Sequence, residues 1–389
     1  MRFASDRWLG PTACAAALVL AAGCQVYDPS LVPPDAGGQG GECEGRRPPA
    51  RPTGADGPDG EDMVFGLRDV VLDQEADGRW ARLGYNLDGY CTGAPDFALG
   101  CTLPPGGGRP SQDGEDGIDN VFGKDLFPLV DGVVDGLEEA SRARQMEGLG
   151  LVVMGLRDWN GLPDDPQVHV TISQSVDTVA AAAGDPPPAV VFVNHEATLA
   201  GEPAPGPAWD GNDYVWVRED TFLAGNYDDP LVFDANAYVA GNVFVARLPE
   251  RVEILFQGDG VGVMVRLTGG IATGRITDDR MGIDDVMVTG RWSVLDLLRT
   301  AENVGVCVGT IEYNFLRSRL EALVDVSSDP AADRSTLCNA ISLGVGFTGR
   351  RLRLGGVVEG PPLGNTCSEL PDGGVTPGVD GGVPDAGPS

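Results

Sequence analysis

The chain has 389 residues, of which 58 are acidic and 27 basic, so its formal net charge is −31 at pH 7. This excess of carboxylates argues against nucleic acid as a partner, because phosphates bind to basic surfaces. It also disfavours electrostatic attachment to anionic lipid, so attachment to a membrane would require an interaction other than charge attraction. The length allows one or two domains with a large apolar core.

Residues 1–23 are predicted to be a signal peptide. A basic start precedes the apolar run Ala13 to Ala22, which is shorter than the ~20 apolar residues that span a bilayer. The run ends in Ala-Ala-Gly-Cys, which resembles the lipobox of bacterial lipoproteins and makes Cys24 the expected lipidation site. Gln25 rather than Asp follows it, and by the same resemblance this implies sorting to the outer membrane. The sequence does not distinguish the periplasmic face of that membrane from the surface face. The alternative is an ordinary cleaved signal peptide beside a chance cysteine.

Six further cysteines remain, and an even number in an exported chain predicts three disulfides, because the periplasm and the cell surface are oxidising. Proximity in the sequence favours the pairs Cys91–Cys101 and Cys307–Cys338. The remaining pair, Cys43–Cys367, would then tie the two ends of the fold together. No Cys-x-x-Cys spacing occurs, which argues against a zinc knuckle or a thioredoxin-type site.

The composition divides the chain into segments. Residues 24–60 and 369–389 are rich in Pro, Gly and Asp, which predicts a flexible tether and a disordered tail. Residues 61–368 are predicted to form one β-rich globular domain. Many short β-type runs separated by turn residues indicate a mainly β fold, an antiparallel β-sandwich of jelly-roll or lectin-like type.

The predicted strands are 64–72, 149–156, 168–172, 189–193, 213–217, 237–248, 252–256, 261–267, 286–292, 340–347 and 352–358. Three stretches have apolar positions at helical spacing, which predicts helices over 128–146, 293–302 and 310–326. We expect these helices to cover the edges or faces of the sheets.

The stretch from Leu83 to Gly123 combines two cysteines, several Asp-Gly or Asn-Gly turns and a Gly/Pro-rich loop between apolar flanks. Calcium binds about six to eight oxygen ligands, and glycines let a short loop turn its side chains inward. The sequence therefore makes calcium a candidate cofactor. The alternative is that the Asp-Gly pairs are ordinary turn formers with solvated charges. The candidate calcium ligands are Asp88, Asp113, Asp116, Asp119 and Asn120.

The sequence lacks the residues or motifs that most classes of catalytic site require. The only lysine, Lys124, is not part of a P-loop, and no Gly-x-Ser-x-Gly motif occurs. His169 lies in an alternating strand pattern, whereas His195 beside Glu196 is a candidate general base, with a polar strand end as the alternative. We assign no catalytic residue from the sequence.

Glycoside hydrolysis by carboxylates stays compatible with the sequence, because a glycosidase needs only two suitably spaced Asp or Glu side chains. Glu253, Asp284 and Asp285 adjoin predicted strands and are candidates, although turns and strand edges commonly carry such charges. A concave groove with paired carboxylates near Trp159 or Trp209 would favour an enzyme. A flat aromatic-amide patch without close carboxylates would favour binding, and the presence of neither feature would favour a structural role.

Two aromatic-amide clusters are typical of carbohydrate sites, where an indole stacks on a sugar ring and polar side chains bind the hydroxyls. The alternative for each cluster is a tryptophan in the core or in a turn beside glycine. The candidate ligand-binding residues are Trp159, Trp209, Asp210, Asn212 and Asp213.

Three segments, Leu83–Gly89, Asp116–Gly123 and Cys338–Thr348, resemble a family of predicted lipoproteins of myxobacterial type. The resemblance covers most of the predicted domain. It implies export and a continuous fold, and it carries over no catalytic residue, because that family has no assigned activity.

These observations predict an exported, lipid-anchored protein with a non-catalytic binding or structural role at the cell envelope. Its expected partners are the membrane, through the lipid, and a glycan. The alternative function is a carboxylate-dependent glycan hydrolase.

Overall fold

The computed structural model describes residues 43, 45–54, 57–93, 98–105, 110–131, 136–176, 206–249, 252–258, 261–360 and 367. The predicted signal peptide, Cys24, the strand at 189–193 and His195 lie outside these residues. The described strands are β1 (Met63–Val71), β2 (Val152–Arg157), β3 (Asp165–Gln174), β4 (Tyr214–Arg218), β5 (Val232–Ala240), β6 (Val243–Arg247), β7 (Val252–Gly258), β8 (Val261–Ile276), β9 (Gly282–Ser293) and β10 (Ala340–Val358).

The described helices are α1 (Phe127–Asp131), α2 (Leu137–Met146), α3 (Val294–Asn303) and α4 (Ile311–Leu323). A π-helical turn, Phe122–Leu126, leads into α1. The predicted helical stretch 128–146 thus corresponds to most of α1 and to α2, and the other two predicted helices are confirmed. Their N-termini follow the capping rule, since Ser293 accepts a hydrogen bond from the Asp296 amide and Thr310 from the Tyr313 amide.

Eight strands form a closed antiparallel barrel in the order β1-β2-β3-β5-β6-β8-β9-β10. Pairing between β1 and β10, with Val64 opposite Leu352 and Arg68 opposite Thr348, closes the ring. The predicted mainly β character is confirmed, but the predicted β-sandwich of jelly-roll or lectin-like type is wrong. Alternating strands look alike in a sandwich and in a barrel, and closure depends on pairing between the two ends of the domain.

Two outer strands extend this barrel. β4 runs parallel to the second half of β10, and β7 pairs with the first half of β8. The predicted run 237–248 is two strands, β5 and β6, because Gly241 and Asn242 both adopt positive φ and form a tight hairpin turn. The two last predicted strands are one long strand, β10.

The barrel interior is filled with apolar side chains, among which Phe65, Phe244 and Ile283 are fully buried. A second apolar cluster lies on the outer wall of the barrel, where β4 and its neighbouring loops cover it. Its buried members are Leu151, Val153, Val215, Val217, Phe222 and Leu352.

The helix α2 packs at the end of the barrel where β1 finishes. Its Gln145 side chain accepts a hydrogen bond from the Val70 amide at 3.1 Å, and Glu138 accepts one from the Leu72 amide at 2.6 Å. Helix α3 follows β9 and contacts β8 and β9. It lies at the same end of the barrel as α2, because β1 and β9 both run antiparallel to β10 and therefore finish at the same end. Among the described helices, none has the length and apolarity needed to span a membrane.

The later half of the predicted tether contacts the folded region. The Arg46 amide donates to the Asp116 carbonyl at 2.7 Å, and the Arg51 guanidinium donates to the Pro166 carbonyl at 2.5 Å. Cys43 is joined to Cys91 by a disulfide. These contacts attach the described part of residues 43–54 to the domain.

Candidate functional site

The segment 83–123 is called the corner loop below, and its described residues, 83–93, 98–105 and 110–123, cover the outer wall of the barrel. All six predicted disulfide cysteines are paired, but every predicted pairing is wrong. The bonds are Cys43–Cys91, Cys101–Cys338 and Cys307–Cys367. Cys101 lies beside the start of β10, since the neighbouring Thr102 amide donates to the Thr336 carbonyl and the Thr102 carbonyl accepts from the Cys338 amide, both at 2.8 Å. The predicted pairs are wrong because they rest on closeness in the sequence.

Asn120 connects the corner loop to the barrel. Its side-chain oxygen accepts hydrogen bonds from the Gly344 and Gly123 amides, both at 3.0 Å, and its side-chain nitrogen donates to the Leu83 carbonyl at 2.8 Å. A Cβ at Gly344 would overlap the Leu83 carbonyl, so only glycine lets the loop approach β10 this closely. Asn120 therefore has a positioning role in the loop.

Three of the predicted calcium ligands, Asp88, Asp113 and Asp119, lie close enough to interact electrostatically, and Asp325 joins them. Each accepts backbone hydrogen bonds: Asp119 from the Leu87 amide at 2.6 Å, Asp113 from the Thr92 amide at 2.5 Å. Asp88 accepts from the Tyr90 and Gly100 amides, both at 2.8 Å. We call these four carboxylates the acidic cluster.

Burial perturbs the acidic cluster strongly. It raises the pKa of Asp113 to about 8 and that of Asp325 to about 7, and the neighbouring Asp88 charge adds to both increases. The pKa of the buried Asp119 is raised by desolvation and then by the surrounding carboxylates. Arg291, whose guanidinium donates to the Leu87 carbonyl, provides a nearby positive charge.

The two remaining predicted ligands are not part of this cluster. Asp116 is exposed, and the Asn120 oxygen already accepts two backbone hydrogen bonds. Within the described residues, no group of three or more His, Cys, Asp or Glu side chains has the geometry of a metal site. Calcium binding stays a prediction from the sequence.

The two predicted aromatic clusters have different environments. Trp159 is 4% exposed and belongs to the barrel core, with its indole nitrogen donating to the Leu162 carbonyl at 2.9 Å. The Arg280 guanidinium lies 5.1 Å from the centre of its ring. The structure thus places Trp159 in the core, where it is unsuited to stacking on a sugar.

Trp209, in contrast, lines a cleft of about 580 Å³, called the tryptophan cleft below. One face of its ring carries the Arg68 guanidinium, 4.7 Å from the ring centre. The backbone of Trp209 has positive φ, a strained conformation for a large side chain. The other polar or charged residues of this cleft are Thr277, Asp278, Asp279, Asp284 and Arg350.

The other predicted ligand residues near Trp209 support its loop. Asp213 is buried and accepts hydrogen bonds from the Trp209 amide at 2.6 Å and from the Ala208 amide at 3.3 Å. Burial raises the pKa of its carboxyl group. Asp210 accepts the Asn212 amide, and the Asn212 side chain accepts a hydrogen bond from Arg353. None of these three lines the tryptophan cleft among the residues described for it.

The partners of Trp209 in its cleft come from the β8–β9 turn with the start of β9, and from β10. Asp284 is a candidate from the sequence because it adjoins a predicted strand. No sequence pattern links Asp284 to Trp209. Arg350 forms an ion pair with Asp284 at 3.4 Å. Because the three segments are far apart in the chain, only the closed barrel brings them together.

The described histidine offers no catalytic arrangement. His169 Nδ1 lies 2.7 Å from an Asp158 carboxylate oxygen, and both side chains are more than two-fifths exposed, at 43% and 42%. This is a surface pair between the end of β2 and the middle of β3, as the strand pattern of His169 predicts.

Comparisons of this chain with protein-family models, with curated proteins and with solved structures found no match. The function of the tryptophan cleft is therefore inferred from its own chemistry.

Proposed function

We propose that this chain is a non-catalytic binding protein of the cell envelope that contacts carbohydrate through the tryptophan cleft. The observation that carries the proposal is the position of Trp209 beside hydroxyl, carboxylate and guanidinium groups in one concave surface. An indole offers an apolar face to a sugar ring, and the polar side chains bind its hydroxyls. The cleft volume, about 580 Å³, lies within the ~300–1,000 Å³ range of small-molecule sites.

The alternative function, hydrolysis of a glycan by two carboxylates, requires one carboxylic acid that holds its proton near neutral pH. Hydrogen bonds from the Thr277 hydroxyl and the Met281 amide instead lower the pKa of Asp279, and Asp284 is paired with Arg350. Asp213 has a raised pKa, but it is 6% exposed and binds two backbone amides. The cleft is concave and holds carboxylates, yet their environment supports binding over hydrolysis.

The cellular part of the proposal depends on the predicted signal peptide and on Cys24 as the lipidation site. The three disulfides support an oxidising compartment, since cytosolic proteins rarely keep such bonds. A lipid on Cys24 would hold the domain at the outer membrane. Incorporation of labelled palmitate into the wild-type chain but not into Cys24→Ala is the expected result, and equal labelling of both would contradict the anchor.

A glycan array tests the carbohydrate proposal. The wild-type chain should bind a subset of glycans, and Trp209→Ala should lose those signals, because the stacking surface is gone. Trp216→Ala is the matched control: Trp216 lies on the neighbouring β4 but does not line the cleft, so its signals should remain. Circular dichroism checks the fold of both variants. An array without signals, or equal binding by Trp209→Ala, would contradict the proposal, and release of reducing ends from a bound glycan would favour the hydrolase.

A further inference from the structure

A second cleft, of about 650 Å³, lies on the outer wall of the barrel and is called the arginine cleft below. Outward-facing residues of β1, β8, β9 and β10 form its floor. One wall is the segment Arg79–Tyr85, which leads into the corner loop, and the other is Arg46–Pro49. The hydroxyl of Tyr85 lies 3.1 Å from the Thr273 hydroxyl on β8, which holds this wall against the floor.

The charge of this cleft is opposite to that of the whole chain. Five of the 27 basic residues line it, but only two of the 58 acidic residues do. A concave surface of this kind concentrates positive potential where the rest of the molecule is negative. The five arginines are Arg46, Arg47, Arg79, Arg82 and Arg275, and the two acids are Asp69 and Asp285.

The arginines differ in the partners they already have. Arg79 forms an ion pair with Asp77 at 2.6 Å, and Arg46 donates to the Arg82 carbonyl and lies over the Tyr85 ring. Within the described part of the chain, the exposed guanidinium groups of Arg82 and Arg275 form no hydrogen bond or ion pair. These two groups can therefore bind an added anion, and the planar guanidinium matches a carboxylate with two parallel hydrogen bonds.

The floor of the cleft is partly apolar, because Val71 on β1 and Met287 on β9 contribute to it. Asp69 on β1 and Asp285 on β9 both have positive φ at irregularities of the strand pairing, one on each side of β10. Such bulges redirect side chains and are frequent beside binding sites. The ligand that fits is one that combines anionic groups with an apolar face.

The two clefts adjoin. Thr348 lines the arginine cleft and Arg350 the tryptophan cleft, two residues apart on the same face of β10, which is about 6.6 Å along a strand. On β9 the neighbours Asp285 and Asp284 line one cleft each, and Asp284 pairs with Arg275 across the β8–β9 ladder. An elongated ligand of a few units can thus contact both clefts.

We propose that the arginine cleft is an anion subsite and that its ligand is a short acidic oligosaccharide, whose carboxylate binds Arg82 and Arg275. This inference rests on the proposed carbohydrate function, because the sugar chain would continue into the tryptophan cleft. Sugar rings supply the apolar face that the floor requires. The ligand is short because a chain of net charge −31 repels a long polyanion beyond the cleft.

Titration calorimetry tests the proposal with two probes, trigalacturonate and sialyllactose, each beside its methyl ester. The ester keeps the sugar rings and removes the charge. Wild type should bind at least one acid ~10-fold or more tightly than the matching ester, because a charge-assisted hydrogen bond is lost. The affinity for the acid should fall as NaCl rises from about 50 to about 300 mM, and that for the ester should not.

The double variant Arg82→Gln/Arg275→Gln should weaken acid binding ~10-fold or more and leave ester binding unchanged. Arg317→Gln/Arg319→Gln, which also removes two positive charges, but from the exposed face of α4, is the control and should bind like wild type. Equal affinity for acids and esters, or acid binding by the double variant as tight as wild type, would overturn the anion subsite.

These results separate the two proposals. If neutral glycans bind and depend on Trp209 while neither acid gains affinity from its charge, the carbohydrate function stands and the anion subsite is wrong. If no glycan of either kind binds, both are wrong.

Discussion

The barrel and the corner loop are two regions of one domain that are stabilised in different ways. The barrel depends on strand ladders and on fully buried side chains such as Phe65 and Phe244. The corner loop depends on two disulfides and on side chains that bind backbone groups, above all Asp119 and Asn120. Apolar burial builds the scaffold, and a polar, cross-linked loop shapes its surface.

This difference bears on function. The arginine cleft exists because the segment leading into the corner loop forms a wall above the strands, and the tryptophan cleft exists because the Trp209 loop does the same nearby. Clefts that depend on polar contacts should respond to pH and redox state more strongly than the barrel does.

The largest expected effect separates the two predicted tryptophan sites. Trp159→Ala should lower the free energy of unfolding by about 3–5 kcal/mol, because it leaves a cavity at a core position that is 4% exposed. Trp209→Ala should cost clearly less, since Trp209 is only partly buried. Urea denaturation of both variants measures this, and equal losses would contradict the assignment of Trp159 to the core and Trp209 to a cleft.

Removal of the disulfide between corner loop and barrel should come next. Cys101→Ala/Cys338→Ala opens a cross-link that spans 237 residues, which should cost about 2–5 kcal/mol. Far-UV circular dichroism should still show the barrel strands below the unfolding transition. The control Cys43→Ala/Cys91→Ala opens a link of 48 residues between the predicted tether and the corner loop and should cost less. Loss of the β signal in native buffer would show that the barrel depends on the corner loop.

Asn120→Ala should destabilise the protein by about 2–3 kcal/mol. The change leaves the buried Gly344 amide and the Leu83 carbonyl without the partner they have now. The control Asn226→Ala removes an exposed asparagine that also bonds to its own loop, and it should cost less than about 1 kcal/mol. Similar losses for the two variants would contradict the positioning role of Asn120.

The acidic cluster predicts a pH effect of smaller size. Folding raises the pKa of Asp113 to about 8 and of Asp325 to about 7, so the folded state binds more protons than the unfolded chain between about pH 4 and pH 8. Stability should therefore be greatest at the acidic end of this window and fall as the pH rises through 7 and 8. We expect Tm to drop by roughly 5 °C between pH 5 and pH 8.5.

The same scan tests calcium. A bound cation would stabilise the ionised carboxylates, so millimolar calcium should raise Tm at pH 8.5 and chelation should reverse the gain. Unchanged Tm values with and without calcium would refute the predicted metal.

Asp113→Asn should flatten the pH dependence of Tm, and a variant that keeps the wild-type slope would contradict the role of the acidic cluster.

The comparison also explains what the sequence could predict. Helix caps at Ser293 and Thr310 and the alternating strands are local patterns, so most elements of the barrel follow from them. The closure of the barrel and the Cys101–Cys338 bond join distant parts of the chain, and no local pattern encodes either one. For the same reason the sequence pointed to Trp209 but not to Arg350 or Arg275, which only the folded barrel brings near it.

Hydrogen exchange read by mass spectrometry, in oxidised and in reduced protein, tests most directly the claim that a cross-linked corner loop lies on an independent barrel. Reduction should accelerate exchange in described peptides of the corner loop, such as 83–93 and 110–123. Peptides from β2, β3 and β9 should keep their protection. Loss of protection in those strands together with the corner loop, or an unchanged corner loop, would contradict the claim.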